Sequence, residues 1–160
     1  MTLPVSGPIS LSQIANEVGL SLPVSINHPW LLKLINKPGL PVSFSDFYGK
    51  AGRYDGSLLC QSEGGSQVIQ FSSSPWFGGQ LSNLVAVQNI FTGQYSLILG
   101  CASAPNWGGN LSVRNNTTGV SIVLPKMDSV DWGLQGSSPV TPTNLLRLGN
   151  TDSFTVLPSN

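Results

Sequence analysis

From residue 54 onward, runs rich in Val, Ile, Leu, Phe, Tyr and Thr are cut by Gly, Asn, Ser or Pro every 8–15 residues. Such punctuation leaves no helical pattern between breaks, and β-branched and aromatic side chains suit the pleated surface of a strand. Strands are expected at 57–61, 67–72, 84–91, 95–102, 111–115, 120–124, 145–148 and 154–157. Thr92-Gly93 and residues 116–119 carry the Gly and Asn that tight hairpin turns require. Eight short strands in this style predict an antiparallel β-sandwich or jelly-roll-like domain over residues 54–160.

The first 53 residues are written differently. "LPVS" occurs three times, starting at Leu3, Leu22 and Leu40. Proline fixes its own backbone and pushes the preceding residue out of the helical region, so each phrase punctuates the chain before a new element. Ser10 with Gln13 forms a capping box, and Leu11, Ile14, Ala15 and Val18 then make one apolar stripe that Gly19 stops. A second helix starts after Asn27 with Pro29 in its first turn and Trp30, Leu31, Leu34 and Ile35 on its apolar side. A third is expected from Ser43, paired with Asp46, with Phe44, Phe47 and Tyr48 as its face and Gly49 as its stop. The fold class is therefore mainly β with a small N-terminal α region: three short helices in residues 1–53, joined near "GKAGRYDG" to the β domain of 54–160. Helices this short are marginal alone and must pack on each other or on something else.

Charge narrows the function classes. Only 9% of the residues are charged, and seven cations balance seven anions. Residues 1–53 carry Lys33, Lys37, Lys50 and Arg53 against Glu17 and Asp46, four against two, a net of +2. Residues 54–160 carry three cations against five anions, a net of −2. Neither value is the footprint of a nucleic-acid binder. No apolar run has the length to span a bilayer, and "MTLPVSGPIS" lacks the charged start and apolar core of a signal peptide. Expression and folding in a cytosol are expected. With so little charge, copies repel one another weakly, which suits a homo-oligomeric subunit of an assembly. It suits a plain Ser/Asn-rich β protein equally well. Cys60 and Cys101 read as buried thiols.

Catalytic and metal chemistry find no foothold. His28 sits at a helix start directly before Pro29, and no Gly-x-Ser-x-Gly elbow exists. Cys60, Cys101 and His28 are too scattered for zinc. Asp128 and Asp131 in "KMDSVDWG" offer half of a calcium site, or a carboxylate for a depolymerase, but read as solvated loop acids because the calcium-loop ligand series is missing. No cofactor, metal or enzymatic activity is expected. Trp76, Trp107 and Trp132 lie among Gly, Pro, Ser and Asn and read as loop residues. Three roles fit them: a plug at one end of the β domain, anchors in a protein interface, or flat platforms for a sugar.

"ISLSQIANEVG", "HPWLLKLINKPG" and "VSFSDFYGKAG" together span residues 8–52. They resemble a short module recurrent at the N-terminus of tailed-bacteriophage structural proteins, which read Ile-Ser-Leu-Ser-x-Ile and, some thirty residues later, Ser-Leu-x-Asp-Phe-Tyr-Gly-Lys. Pro29, Trp30 and Lys33 stand where relatives often carry small residues. The resemblance implies a virion component made in the host cytoplasm, most often of the tail, docking on other virion structural proteins through this module. Leu11, Ile14, Val18, Leu31, Leu34, Ile35, Phe44, Phe47 and Tyr48 would then be buried within the module and against neighbours. The alternatives are a virion module that binds a host-surface glycan or protein through Trp76, Trp107 or Trp132, and a capsid decoration protein.

Overall fold

A computed structural model describes residues 2–137 and 144–160. Within these residues the chain opens with two α-helices, α1 (Leu11–Glu17) and α2 (Pro29–Ile35), followed by nine strands. These are β1 (Tyr54–Leu59), β2 (Gln61–Glu63), β3 (Ser66–Trp76), β4 (Gly79–Gln88), β5 (Tyr95–Ser103), β6 (Asn110–Asn115), β7 (Ser121–Leu124), β8 (Asp131–Ser137) and β9 (Thr151–Ser159). They form two antiparallel sheets, of order β1-β9-β6-β7 and β2-β3-β4-β5-β8. The protein is thus mainly β.

The expected third helix is not an α-helix. Phe44–Phe47 forms a single 3-10 turn in which the Asp46 N–H donates to the Ser43 carbonyl. Pro41 lies just upstream and Gly49, at φ +67°, just downstream, so there is no room for an i→i+4 bond to repeat. The Ser43 N–H still donates to Asp46 Oδ2 at 2.8 Å, as the sequence pattern requires. At α1 both halves of the capping box form: the Gln13 N–H donates to Ser10 Oγ and the Ser10 N–H to Gln13 Oε1. Gly19 at φ +72° ends that helix. Asn36, at φ +55°, ends α2.

Several strand assignments change: the run expected at 57–61 is divided at Cys60 between β1 and β2, which belong to different sheets, and the one expected at 84–91 is shifted to Gly79–Gln88. Residues 145–148 are irregular, with Leu145 and Leu146 buried as side chains of a turn. β8 takes the sheet position instead. Its sequence, DWGLQGS, is weak in strand formers, yet Gly133 is required there. A Cβ at Gly133 would stand 2.4 Å from the Leu97 carbonyl oxygen on β5. The expected strand at 67–72 continues to Trp76 through a bulge at Ser72 and Ser73, both at positive φ. The hairpins at 89–94 and 116–119 are present.

Registers explain the core. Ile69, Leu84, Leu99 and Trp132 sit side by side across β3, β4, β5 and β8. They face Leu111, Val113, Leu124, Phe154 and Val156 of the other sheet within one buried cluster. Tyr54 of β1 meets Phe71 of β3 edge-on between the sheets, with ring centroids 5.0 Å apart. Ile14, Val18, Leu31, Leu34 and Phe47 belong to that same cluster.

Candidate functional site

The N-terminal region seats on one end of the paired sheets, where the β3–β4 turn, the β5–β6 loop and the end of β9 converge. Its own ends are tied together: the Leu3 N–H donates to the Lys50 carbonyl, the Gly49 N–H to Pro4, and the Tyr48 hydroxyl to Gly7. The Phe77 N–H then donates to the Ala51 carbonyl at 2.6 Å, which fixes the region to the β3–β4 turn. Glu17 closes the joint. Its buried Oε1 accepts the N–H groups of Gly52 and Arg53 at 3.0 and 3.2 Å. Burial pushes the Glu17 carboxyl up, against the opposing pull of those two backbone donors. Gly52 lets the chains approach: a Cβ there would meet Leu34 Cδ1 and Val18 Cγ1, each at 3.0 Å. A groove of about 400 Å³ opens beside this joint, lined in part by Lys50, Trp76, Gln80 and Ser103.

The residues proposed for assembly divide into three groups. Ile14, Val18, Leu31, Leu34, Ile35 and Phe47 are buried in the chain's own core. Leu11 and Tyr48 are half-buried. Only Phe44 of the set is exposed. The apolar side chains that do face solvent in this region are Val5 (79% exposed) and Leu40 (65%), with Leu22 beside them in rank. Periodicity arguments pass over these three because they lie outside the helices. The signal that could have found them is the repeat itself: each belongs to an "LPVS" phrase.

The tryptophans are placed otherwise than a ligand platform demands. Trp76 ends β3 and Trp132 lies within β8, so only Trp107 occupies a loop. All three are buried, which leaves no ring face for a sugar or a partner. They form a series of aromatic contacts instead, edge-to-face except for the tilted Phe77–Trp107 pair. Trp132 meets Trp76 at 6.2 Å, Trp76 meets Phe77 at 4.8 Å, Phe77 meets Trp107 at 5.1 Å, and Trp107 meets Trp30 of α2 at 5.2 Å. The indole N–H groups of Trp107 and Trp132 donate to the carbonyls of Asn110 and Gly109. Trp76 Nε1 has no partner. The series plugs one end of the paired sheets and carries α2 with it. His28 caps α2, its Nδ1 accepting the Trp30 N–H at 3.2 Å.

Asp128 and Asp131 build a turn: Asp128 Oδ1 accepts the N–H groups of Val130 and Asp131. Among the described residues no group of His, Cys, Asp and Glu could hold a metal ion. Cys60 and Cys101 are free thiols. Burial, assisted by the nearby Asp131 charge, pushes the Cys101 thiol up to about 12. Among the described residues the most enclosed ion pair lies at the opposite end, where buried Asp152 holds Arg147 and accepts the Asn115 amide at 2.8 Å. No described helix is long and apolar enough to cross a membrane.

Among the described residues the most solvent-exposed apolar side chains also lie at that opposite end, on the β4–β5 hairpin. Ile90 is 85% and Phe91 93% exposed. Asn89 Oδ1 accepts the N–H groups of Phe91 and Thr92, which sets the turn that presents them.

No protein-family model, no curated protein and no solved structure matches this chain.

Proposed function

We propose that the protein is a non-enzymatic structural component of a bacteriophage particle, tail-associated, that docks on other virion proteins through its N-terminal region. The paired sheets are read as a β-sandwich carried behind that dock. Support comes from the 8–52 resemblance, whose "SDFYGK" end is its most specific part. One observation carries the docking role: the same region leaves Val5, Leu22, Leu40 and Phe44 in solvent although its helical residues are already buried. A contiguous exposed apolar patch marks an interaction surface, and these four are read as parts of one. The contact surface is accordingly assigned to the LPVS phrases and Phe44, with the helix stripes serving the chain's own core.

Purified particles from the source, labelled with an antibody to this chain, test the location. Bound label at a fixed place on the particle is expected, and particles devoid of the chain refute the reading. Incorporation of a Leu40→Ser/Phe44→Ser variant tests the surface. A folded variant that no longer enters particles is expected, whereas undiminished entry assigns the dock elsewhere.

A second reading, contact with a host-surface protein, is favoured by Ile90 and Phe91. They project from the end opposite the dock, the length of β4 away, roughly 30 Å at ~3.3 Å per residue.

A further inference from the structure

We propose that the outer face of the five-stranded sheet is a self-association surface, on which two copies of this chain meet face to face about a two-fold axis. This inference stands on the sheet alone and does not rest on the virion reading.

The registers define that face. Val68, Val85, Ile98 and Gly133 lie opposite one another across β3, β4, β5 and β8. Each immediately precedes or follows a core residue (Ile69, Leu84, Leu99 or Trp132), so the row points away from the core. None of the four belongs to the core cluster. The row does not stop at the glycine. Met127 Sδ lies 3.0 Å from where a Gly133 Cβ would stand, so the methionine fills the gap a missing side chain leaves. The result is an apolar band, Val85–Ile98–Met127, across β4, β5 and the flank of β8, with Val87 beside it; Val68, at the β3 end of the row, is itself buried. Val87 and Met127 are exposed, while Val85 and Ile98 are half-buried. The next row is polar: Gln70, Asn83, Gly100 and Asp131.

Charge selects the occupant. Residues 64–113 contain no Asp, Glu, Lys or Arg, so β3, β4 and β5 contribute no charge at all. On the outer face, Glu63 of β2 and Asp131 of β8 lie only at the two rims. A strongly charged partner finds nothing to pair with here, and the rows hold no aromatic ring on which a sugar could stack. A second copy fits. An isologous contact sets each patch on its own likeness, which like charges would oppose and a neutral band does not. Sheet-on-sheet packing of this kind interdigitates inner rows about 10 Å apart.

The size suits a reversible dimer. Strands about 4.8 Å apart and six to eight residues long give a face on the order of 500 Å². That is below the ~800 Å² per partner of a standard interface and above that of most lattice contacts. A dimer that dissociates on dilution is expected.

The test is the mass of the full-length protein by light scattering over a concentration series, for the natural chain, Val85→Lys and Asn83→Lys. The natural chain should rise from 16.9 kDa towards twice that mass. Each lysine would confront its symmetry mate, so either folded variant should dimerise at least tenfold more weakly, with unchanged near-ultraviolet circular dichroism. Should Val85→Lys lose that signal, Asn83→Lys, at a polar position, decides alone. A monomer at every concentration, or an oligomer that no folded variant weakens, overturns the proposal. The first of these would assign the band to a different protein.

Discussion

Trp30 on α2 meets Trp107 in the β5–β6 loop edge-on, their ring centroids 5.2 Å apart and their planes at 86°. This pair is the side-chain link between the N-terminal region and the aromatic series that closes the end of the paired sheets. A double-mutant cycle of Trp30→Ala and Trp107→Ala should return a coupling of about 0.5–1.5 kcal/mol in unfolding free energy. Trp107→Ala alone should cost about 3–5 kcal/mol, because a buried indole leaves a cavity. Strict additivity would mean that the two regions do not communicate through this contact.

Gly52 admits no side chain cheaply, since a Cβ there would also lie 3.1 Å from the Glu17 carbonyl oxygen. Gly52→Ala should destabilise by about 1–3 kcal/mol, the usual penalty of overpacking. Gly39, with open space around it, is the control and should move the denaturation midpoint little when changed to Ala.

Glu17 gives a pH signature. Its folded-state value is raised above 4.5, first by burial, so the folded chain holds this proton more tightly than the unfolded one. The group therefore favours folding most below pH 4.5 and weighs against it as pH rises through the folded value. Glu17→Gln keeps an oxygen for the two backbone donors without the charge. Its stability relative to the natural chain should improve from acid towards neutral pH in denaturant titrations. A difference that is flat or runs the other way rejects this account. Glu17→Ala should cost about 1–3 kcal/mol in acid, from two N–H groups left without an acceptor, and less towards neutral pH.

Asp152 has the opposite sign. The hydrogen bond from Arg147 holds its carboxyl below the usual 3.8, with the Asn115 amide assisting, against the upward push of burial. Its contribution is present above pH 3.8 and is lost as pH falls through the folded value. Asp152→Asn should lower the urea midpoint at pH 7 and flatten its decline in acid. An acid limb as steep as that of the natural chain would place the acid sensitivity elsewhere.

At pH 8, Cys101 should resist iodoacetamide in the folded protein and react promptly in urea, because a thiol pushed up to about 12 supplies almost no thiolate. Fast labelling of the native chain would show that the β5 end opens readily.

Local chemistry was legible in residues 1–53, because capping depends on neighbours three or four positions away. Ser10 with Gln13, Pro29 at the start of α2 and Gly19 at the end of α1 all act as their spacing indicates. The 3-10 turn at Phe44–Phe47 was not, since four residues carry the same cap whether or not a helix follows. β8 was hidden because its place is set by the backbone of β5 against Gly133, a long-range contact without a propensity signal. Trp76 and Trp132 read as loop residues for a related reason, although a plug at one end of the β domain is among the roles that fit them. Gly, Pro and Asn around Trp76 and Trp107 mark a sharp reversal of the chain, and such a reversal can turn a ring inward as readily as outward. Which apolar residues remain in solvent likewise depends on what the rest of the chain covers, as Val5 and Leu40 show.

The brevity of β2 has a further consequence. A sheet grows laterally by offering unpaired backbone groups to a newcomer, and a long flat margin invites fibres. Here β2 covers only Ser66–Val68 of β3, whose remaining edge is broken by the Ser72–Ser73 bulge and by Pro75, and the β7 margin of the other sheet offers four residues. Beside β8, Lys126 already bridges Trp132, and the Gly133 N–H is taken by Pro125. A chain this poor in charge has little electrostatic defence against fibrillation. Its protection is geometric: three of its four margins are too short, too broken or too occupied to template another strand.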